Sequence, residues 1–252
     1  YKSEAFINSP YNSLQDLFSE RVIRGDILSS DGQVLATTKV SKDKSETREY
    51  PYGRVFAHAI GYSVNGKAGI ENQENFELLR SHEFFLKQMG ADLAGNKTQG
   101  DTVVTTFDAD VQKAAYEALG SFDGAVIAME PETGKIITMV SKPDFDPNTI
   151  KRDWETVNSD SSTALYNRAT QGKYAPGSVF KIFTALEYYR ENTKGYEDYR
   201  YDCNGSITVD GKTIHCAGNH RHGTQDLEAS FDNSCKSSFA NIALTLNRNK
   251  FK

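Results

Sequence analysis

The 252 residues predict an α+β protein in two domains, a β-rich N-terminal module over 1–99 and a mixed domain over 100–252. Three observations predict this. Up to about Gly100 the chain reads as short strands and irregular segments, punctuated by Gly25, Gly32, Gly53, Gly61, Gly66 and Gly69. After it, a helical apolar pattern is followed by two β-rich runs with a turn between them. Further on, a Pro-Gly pair opens a third pattern, the apolar run Val179, Phe180, Ile182, Phe183 and Leu186.

Taken in order, Glu71 to Leu79 and Phe84 to Met89 predict short helices. The polar stretch 92–100 predicts the domain boundary. Thr102 to Thr106 predicts a strand. Val111, Ala114, Ala115, Ala118 and Leu119 recur at helical spacing behind Asp108, whose carboxylate suits an N-cap. Ala125 to Met129 and Lys135 to Val140 are joined by Glu-Pro-Glu-Thr-Gly134 and predict a hairpin. Asp210-Gly211 marks a second hairpin between Cys203 and Cys216. The domain after residue 100 therefore opens as helix, hairpin and apolar helix, around an antiparallel sheet.

Chemistry concentrates in Tyr174-Ala-Pro-Gly-Ser178-Val-Phe-Lys181. Helical residues three apart share a face, which brings the lysine amine within reach of the serine hydroxyl. The Pro-Gly turn sets the serine at a helix N-terminus, where free N–H groups favour developing negative charge. Burial among Phe180, Ile182 and Phe183 would favour the neutral, basic amine. Ser178 is the candidate acylating nucleophile. Ser41-Lys-Asp-Lys44 has the same spacing but lies in a charged run with no apolar face, and reads as solvated surface.

The flanking residues add a resemblance. Asn167-Arg-Ala, Gly172, Tyr174 and Pro176 to Lys181 resemble the active-serine segment of penicillin-binding proteins, which carries S-x-x-K. Arg24-Gly-Asp-Ile27, Asp31-Gly32, Arg48-Glu-Tyr-Pro51, Phe56-Ala-His58, Ile60-Gly-Tyr62 and Gly69-Ile-Glu71 resemble the N-terminal module of the class B members. Thr105-Thr-Phe-Asp108, Gln112, Gly124 to Met129 and Thr133 to Ile136 resemble the start of their transpeptidase domain. The segments occur in family order over nearly the whole chain.

The resemblance implies a penicillin-binding/serine β-lactamase-like fold and a peptidoglycan D,D-transpeptidase. Such an enzyme cross-links stem peptides through a serine acyl-enzyme and is acylated by β-lactams. It implies a glycosyltransferase of wall synthesis as partner, and a membrane anchor upstream of Tyr1 holding the protein on the extracytoplasmic face. No metal or organic cofactor is implied. In Ser234-Cys235-Lys236 it gives Ser234 the role of proton relay in the second motif, S-x-N, with Phe239 and Ile242 to Leu244 fixing the register. Lys236 stands at the substrate-binding asparagine position. A lysine donates only, and a second ammonium near Lys181 would lower its pKa. The third motif, K-[ST]-G, does not occur within these residues, so the chain is read as part of a longer transpeptidase. Two other functions fit parts of the pattern: a non-catalytic wall-synthesis scaffold with a degenerate domain, favoured by Lys236, and a β-lactam sensor or serine β-lactamase, which would not carry residues 24–100.

Composition adds limits. The net charge of −5 comes with no concentrated Lys/Arg stretch, which argues against nucleic-acid binding. Three cysteines cannot all pair with one another. Cys203 and Cys216 flank the second hairpin, where a disulfide and two half-buried thiols are both open readings. Zinc is a third, because His215, His220 and His222 crowd the segment, although Cys203-x12-Cys216 fits no standard spacing.

Overall fold

A computed structural model describes residues 19–82, 96–159 and 161–251. The helix expected at Phe84 to Met89 and residues 92–95 of the polar stretch lie outside them. Among the described residues no helix is long and apolar enough to cross a membrane. The chain divides into two compact units, one up to Lys173 and one from Tyr174.

In the first unit a sheet of order β4-β3-β2-β6 joins Glu46–Glu49, Val34–Val40, Ile27–Leu28 and Val103–Val104. Its β2–β6 pair is parallel and the others antiparallel. A second parallel pair joins β1 (Val22–Ile23) to β5 (Thr98–Gln99). Short helices α1 (Ala57–Ile60), α2 (Gly69–Gln73) and α3 (Asn75–Leu78) pack with the first sheet around Ile27, Leu35, Tyr50, Phe56, Ile60, Leu78 and Phe107. Chain approach is close here: a Cβ on Gly25 would meet the Asp101 carbonyl oxygen at 1.9 Å, so no larger residue fits without moving backbone.

Three sequence segments of this unit converge on one buried carboxylate. Glu71 accepts from Arg24 Nε at 2.6 Å and from Arg48 Nε at 2.8 Å. The Arg24 fork also reaches the Glu71 carbonyl and Asn75 Oδ1, both at 2.6 Å. Arg48 reaches the Gly25 carbonyl at 2.6 Å and Thr38 Oγ1 at 3.0 Å. Burial raises the Glu71 pKa, but the two guanidiniums outweigh it and hold the carboxyl below its usual range.

Helix α4 (Ala109–Leu119) starts where expected, with the Asp108 carboxylate accepting from Val111 N at 2.9 Å. The hairpin β7–β8 (Gly124–Met129, Ile136–Lys142) follows in antiparallel register. Buried Gln112 ties this helix to the hairpin: its amide nitrogen donates to the Val55 and Met139 carbonyls at 2.8 and 2.9 Å, and its oxygen accepts from Met139 N. Helix α5 (Ile150–Val157) packs Ile150 against Ala57, Tyr62 and Phe145.

The second unit begins with a 3₁₀ turn, Gly177–Phe180, running into α6 (Lys181–Glu191). Strand β9 (Tyr201–Cys203) pairs antiparallel with β12 (Gly223–Gln225). Between them β10 (Ser206–Val209) and β11 (Lys212–His215) form the second hairpin. Its turn residues Asp210 and Gly211 both have positive φ, 48° and 75°, as a two-residue loop of the primed type requires. Helices α7 (Leu227–Asp232) and α8 (Lys236–Thr245) complete the unit, with Phe239 and Ile242 packed on Tyr199 and on Ala185 and Tyr188 of α6.

The apolar residues at the start of α6 are left uncovered by the described residues: Phe180, Ile182 and Phe183 are 46%, 44% and 55% exposed. The packed side of α6 is the one carrying Thr184, Ala185, Glu187 and Tyr188. Helical periodicity identified an apolar face, but the contacts of this unit run along a different one.

Candidate functional site

Ser178 lies in the 3₁₀ turn and Lys181 is the first residue of α6. Gly177, at φ 56°, makes the sharp entry that the preceding proline prepares. The three-residue spacing puts Lys181 Nζ 2.9 Å from Ser178 Oγ.

The same nitrogen lies 2.9 Å from Ser234 Oγ, and the Ser234 hydroxyl donates to Ser178 Oγ at 3.1 Å. Ser234 comes from the junction of α7 and α8 and adopts a left-handed backbone, φ 48°, which a non-glycine residue takes only when its surroundings impose it. The surroundings are a dense set of bonds. Ser234 N donates to the Phe231 carbonyl at 2.8 Å and Cys235 N to the Ser230 carbonyl at 2.9 Å. Buried Ser238 donates its hydroxyl to Ser230 Oγ at 2.8 Å, and the Asn233 amide donates to Gln225 Oε1 at 2.8 Å. The three polar atoms thus form a closed triangle held by two helix starts.

Lys181 is partly buried, with its Nζ 5.8 Å from the centre of the Phe239 ring. Its pKa is lowered from the ordinary lysine value, first by desolvation and then by the charge of Lys236. Phe239 of α8 stands beside the amine, whereas Phe180, Ile182 and Phe183, to which the sequence pointed, are exposed. Lys236 is exposed at the first turn of α8, where its charge opposes the helix dipole as well as Lys181. The hydroxyl of Ser178 is exposed, so an acyl donor can approach it.

A few residues away, Cys203, Cys216 and Cys235 are buried and free. Cys203 Sγ and Cys216 Sγ are 3.8 Å apart, which is a contact and not a disulfide. His215 and His220 stand apart from these sulfurs; His222 joins them, with Nδ1 at 3.3 Å from Cys203 Sγ. Sequence reasoning missed Cys235 as a member of this group. The available signal was its place beside Ser234, in a segment already singled out for chemistry.

Comparison with known proteins bears on the whole chain. Residues 124–252, just over half of it, match the family model "Penicillin binding protein transpeptidase domain", and residues 24–103 match "Penicillin binding protein A dimerisation domain". The peptidoglycan D,D-transpeptidase PbpA of Mycolicibacterium smegmatis is 29% identical over 91% of this chain and 50% of its own length. PbpA of Mycobacterium tuberculosis is 32% identical over 64% of this chain and 36% of its own length. A solved structure of penicillin-binding protein A from M. tuberculosis, an imipenem acyl-enzyme complex, superimposes with a TM-score of 0.80 at 26% identity, covering 93% of this chain and 58% of that one. The chain spans half or less of the length of these curated relatives. Two domain matches in family order, across most of its length, make this chain a member of the class B penicillin-binding proteins.

Proposed function

We propose that the protein is a peptidoglycan D,D-transpeptidase acting through a Ser178 acyl-enzyme. One observation carries the reading: a single lysine nitrogen, with its pKa lowered, lies at hydrogen-bond distance from two serine hydroxyls that also bond each other. In its free-base form Lys181 accepts the Ser178 proton as Oγ bonds to the carbonyl carbon of the penultimate D-alanine. The carbon–nitrogen bond to the terminal D-alanine then breaks. Ser234, bonded to both other groups, passes the proton to the departing amine. An amino group of a neighbouring stem takes the acyl group and restores Ser178. A β-lactam acylates Ser178 by the same first step, its ring C–N bond opening as Oγ bonds to the carbonyl carbon, and relatives of this fold are solved as β-lactam acyl-enzymes. The site as proposed uses no metal or organic cofactor.

The domain boundary in this reading lies near residue 100, with 1–99 as the partner-docking module; the match to a dimerisation domain over residues 24–103 supports it. Relatives named as peptidoglycan transpeptidases support action in the cell envelope; an extracytoplasmic location, a glycosyltransferase of wall synthesis as partner and a membrane anchor belong to the same proposal and rest on the family resemblance. Lys236 favours a second reading, a scaffold whose domain binds without turnover.

Fluorescent penicillin applied to the full-length protein tests the proposal. Covalent labelling is expected, and none of it in Ser178→Ala. Unlabelled wild type, or equal labelling of the variant, overturns the enzyme reading.

A further inference from the structure

We propose that Cys203, Cys216, His222 and Cys235 form a structural metal site, a tetrahedral Cys₃His centre for zinc. The four donors come from separate places: the end of β9, the residue after β11, the residue before β12 and the N-cap of α8. The donor atoms all lie within 4.8 Å of one another.

The distances exclude a disulfide and match a tetrahedral metal site. Zinc–sulfur bonds of about 2.3 Å at tetrahedral angles place two sulfurs about 3.8 Å apart, and a nitrogen at 2.0–2.1 Å about 3.6 Å from each sulfur. Cys203 to Cys216 and Cys216 to Cys235 are both 3.8 Å, and His222 Nδ1 is 3.3 Å from Cys203 Sγ. A disulfide has its sulfurs about 2.05 Å apart and would leave the third cysteine unpaired. A polar group is set among the sulfurs: Ser237 Oγ lies 3.2, 3.4 and 3.4 Å from Cys203, Cys216 and Cys235, and the Ser238 N–H donates to Cys235 Sγ at 3.5 Å. Beside thiolates bound to a cation, these donors are the outer partners that offset the excess negative charge.

Three thiolates and an imidazole in a tetrahedral arrangement select zinc among the common divalent ions, and four protein ligands make the site structural. Cys235 follows Ser234 directly, so the metal would also hold the backbone that keeps Ser234 in its left-handed conformation.

Metal analysis and cobalt substitution of the full-length protein, purified under reducing conditions, test the site. One zinc per chain is expected. Cobalt in its place should give the intense visible bands of a tetrahedral thiolate centre. Ser237→Ala should weaken zinc about 10–100-fold, as loss of an outer partner does. Ser178→Ala should keep both the zinc and the cobalt spectrum, which separates failure of this proposal from failure of the acyl-transfer reading. Where a ligand variant such as Cys235→Ser does not fold, the cobalt spectrum of the unaltered protein decides. Protein that takes up neither metal, or that carries a Cys203–Cys216 disulfide when isolated without reductant, overturns the proposal.

Discussion

Replacing Glu71 by glutamine removes one negative charge from a fully buried position and changes almost nothing in shape. The wild-type carboxylate neutralises two guanidiniums at 2.6 and 2.8 Å, both nearly as buried as it is. In Glu71→Gln those cations face each other without a counter-ion, and the new amide NH₂ points a donor at a donor. Breaking a buried pair by removing one partner costs about 3–5 kcal/mol. For a unit of this size that corresponds to a fall in melting temperature of about 6–20 °C. Urea denaturation at pH 7, followed by circular dichroism, measures the change. The same network gives a pH dependence. The folded pKa of Glu71 lies below its unfolded value, so the stabilisation is fully present above about pH 4.3 and is lost as pH falls through the folded pKa. The glutamine variant should lack that acid-labile component. Replacing Arg24, Arg48 and Glu71 together by apolar residues of similar volume should cost less than Glu71→Gln alone, because no charge is then stranded. A Glu71→Gln variant within about 1 kcal/mol of wild type would refute this account, since it lies well below the cost of a stranded charge.

Three further outcomes follow from the second unit and from α4. Lys236→Asn removes a like charge beside Lys181; the pH profile of β-lactam acylation should move to higher pH, and an unmoved profile would show that Lys236 does not tune the base. Ser234→Ala should slow acylation by about 10²–10⁴-fold, the range for a positioned proton-transfer group, in stopped-flow measurements with a chromogenic cephalosporin. Asp108→Ala removes the cap on Val111 N and should cost about 1 kcal/mol in the same urea assay, with acylation by Ser178 still detectable.

Much of this molecule is set by rules that act over a few residues. Asp108 caps α4 because its carboxylate is adjacent to the orphan N–H groups it serves. Glu-Pro-Glu-Thr-Gly134 turns the chain between β7 and β8, and Asp210-Gly211 does so between β10 and β11, because each supplies the backbone conformation the turn needs. The approach of Lys181 to Ser178 belongs to the same class, since three residues of helical chain bring them together. The register of Ser234 could be proposed only through family resemblance; its distance to Ser178 spans 56 positions and depends on how α7 and α8 are packed. Tertiary structure alone showed that Thr184, Ala185, Glu187 and Tyr188 form the side of α6 packed within this unit, because periodicity reports that a face is apolar and not what lies against it. It also decided that Phe239 stands beside Lys181, that Arg24 and Arg48 share Glu71, and that Cys235 and His222 join Cys203 and Cys216. Each of these contacts joins segments far apart in the chain, and its energy is gained only after the loops between them have closed.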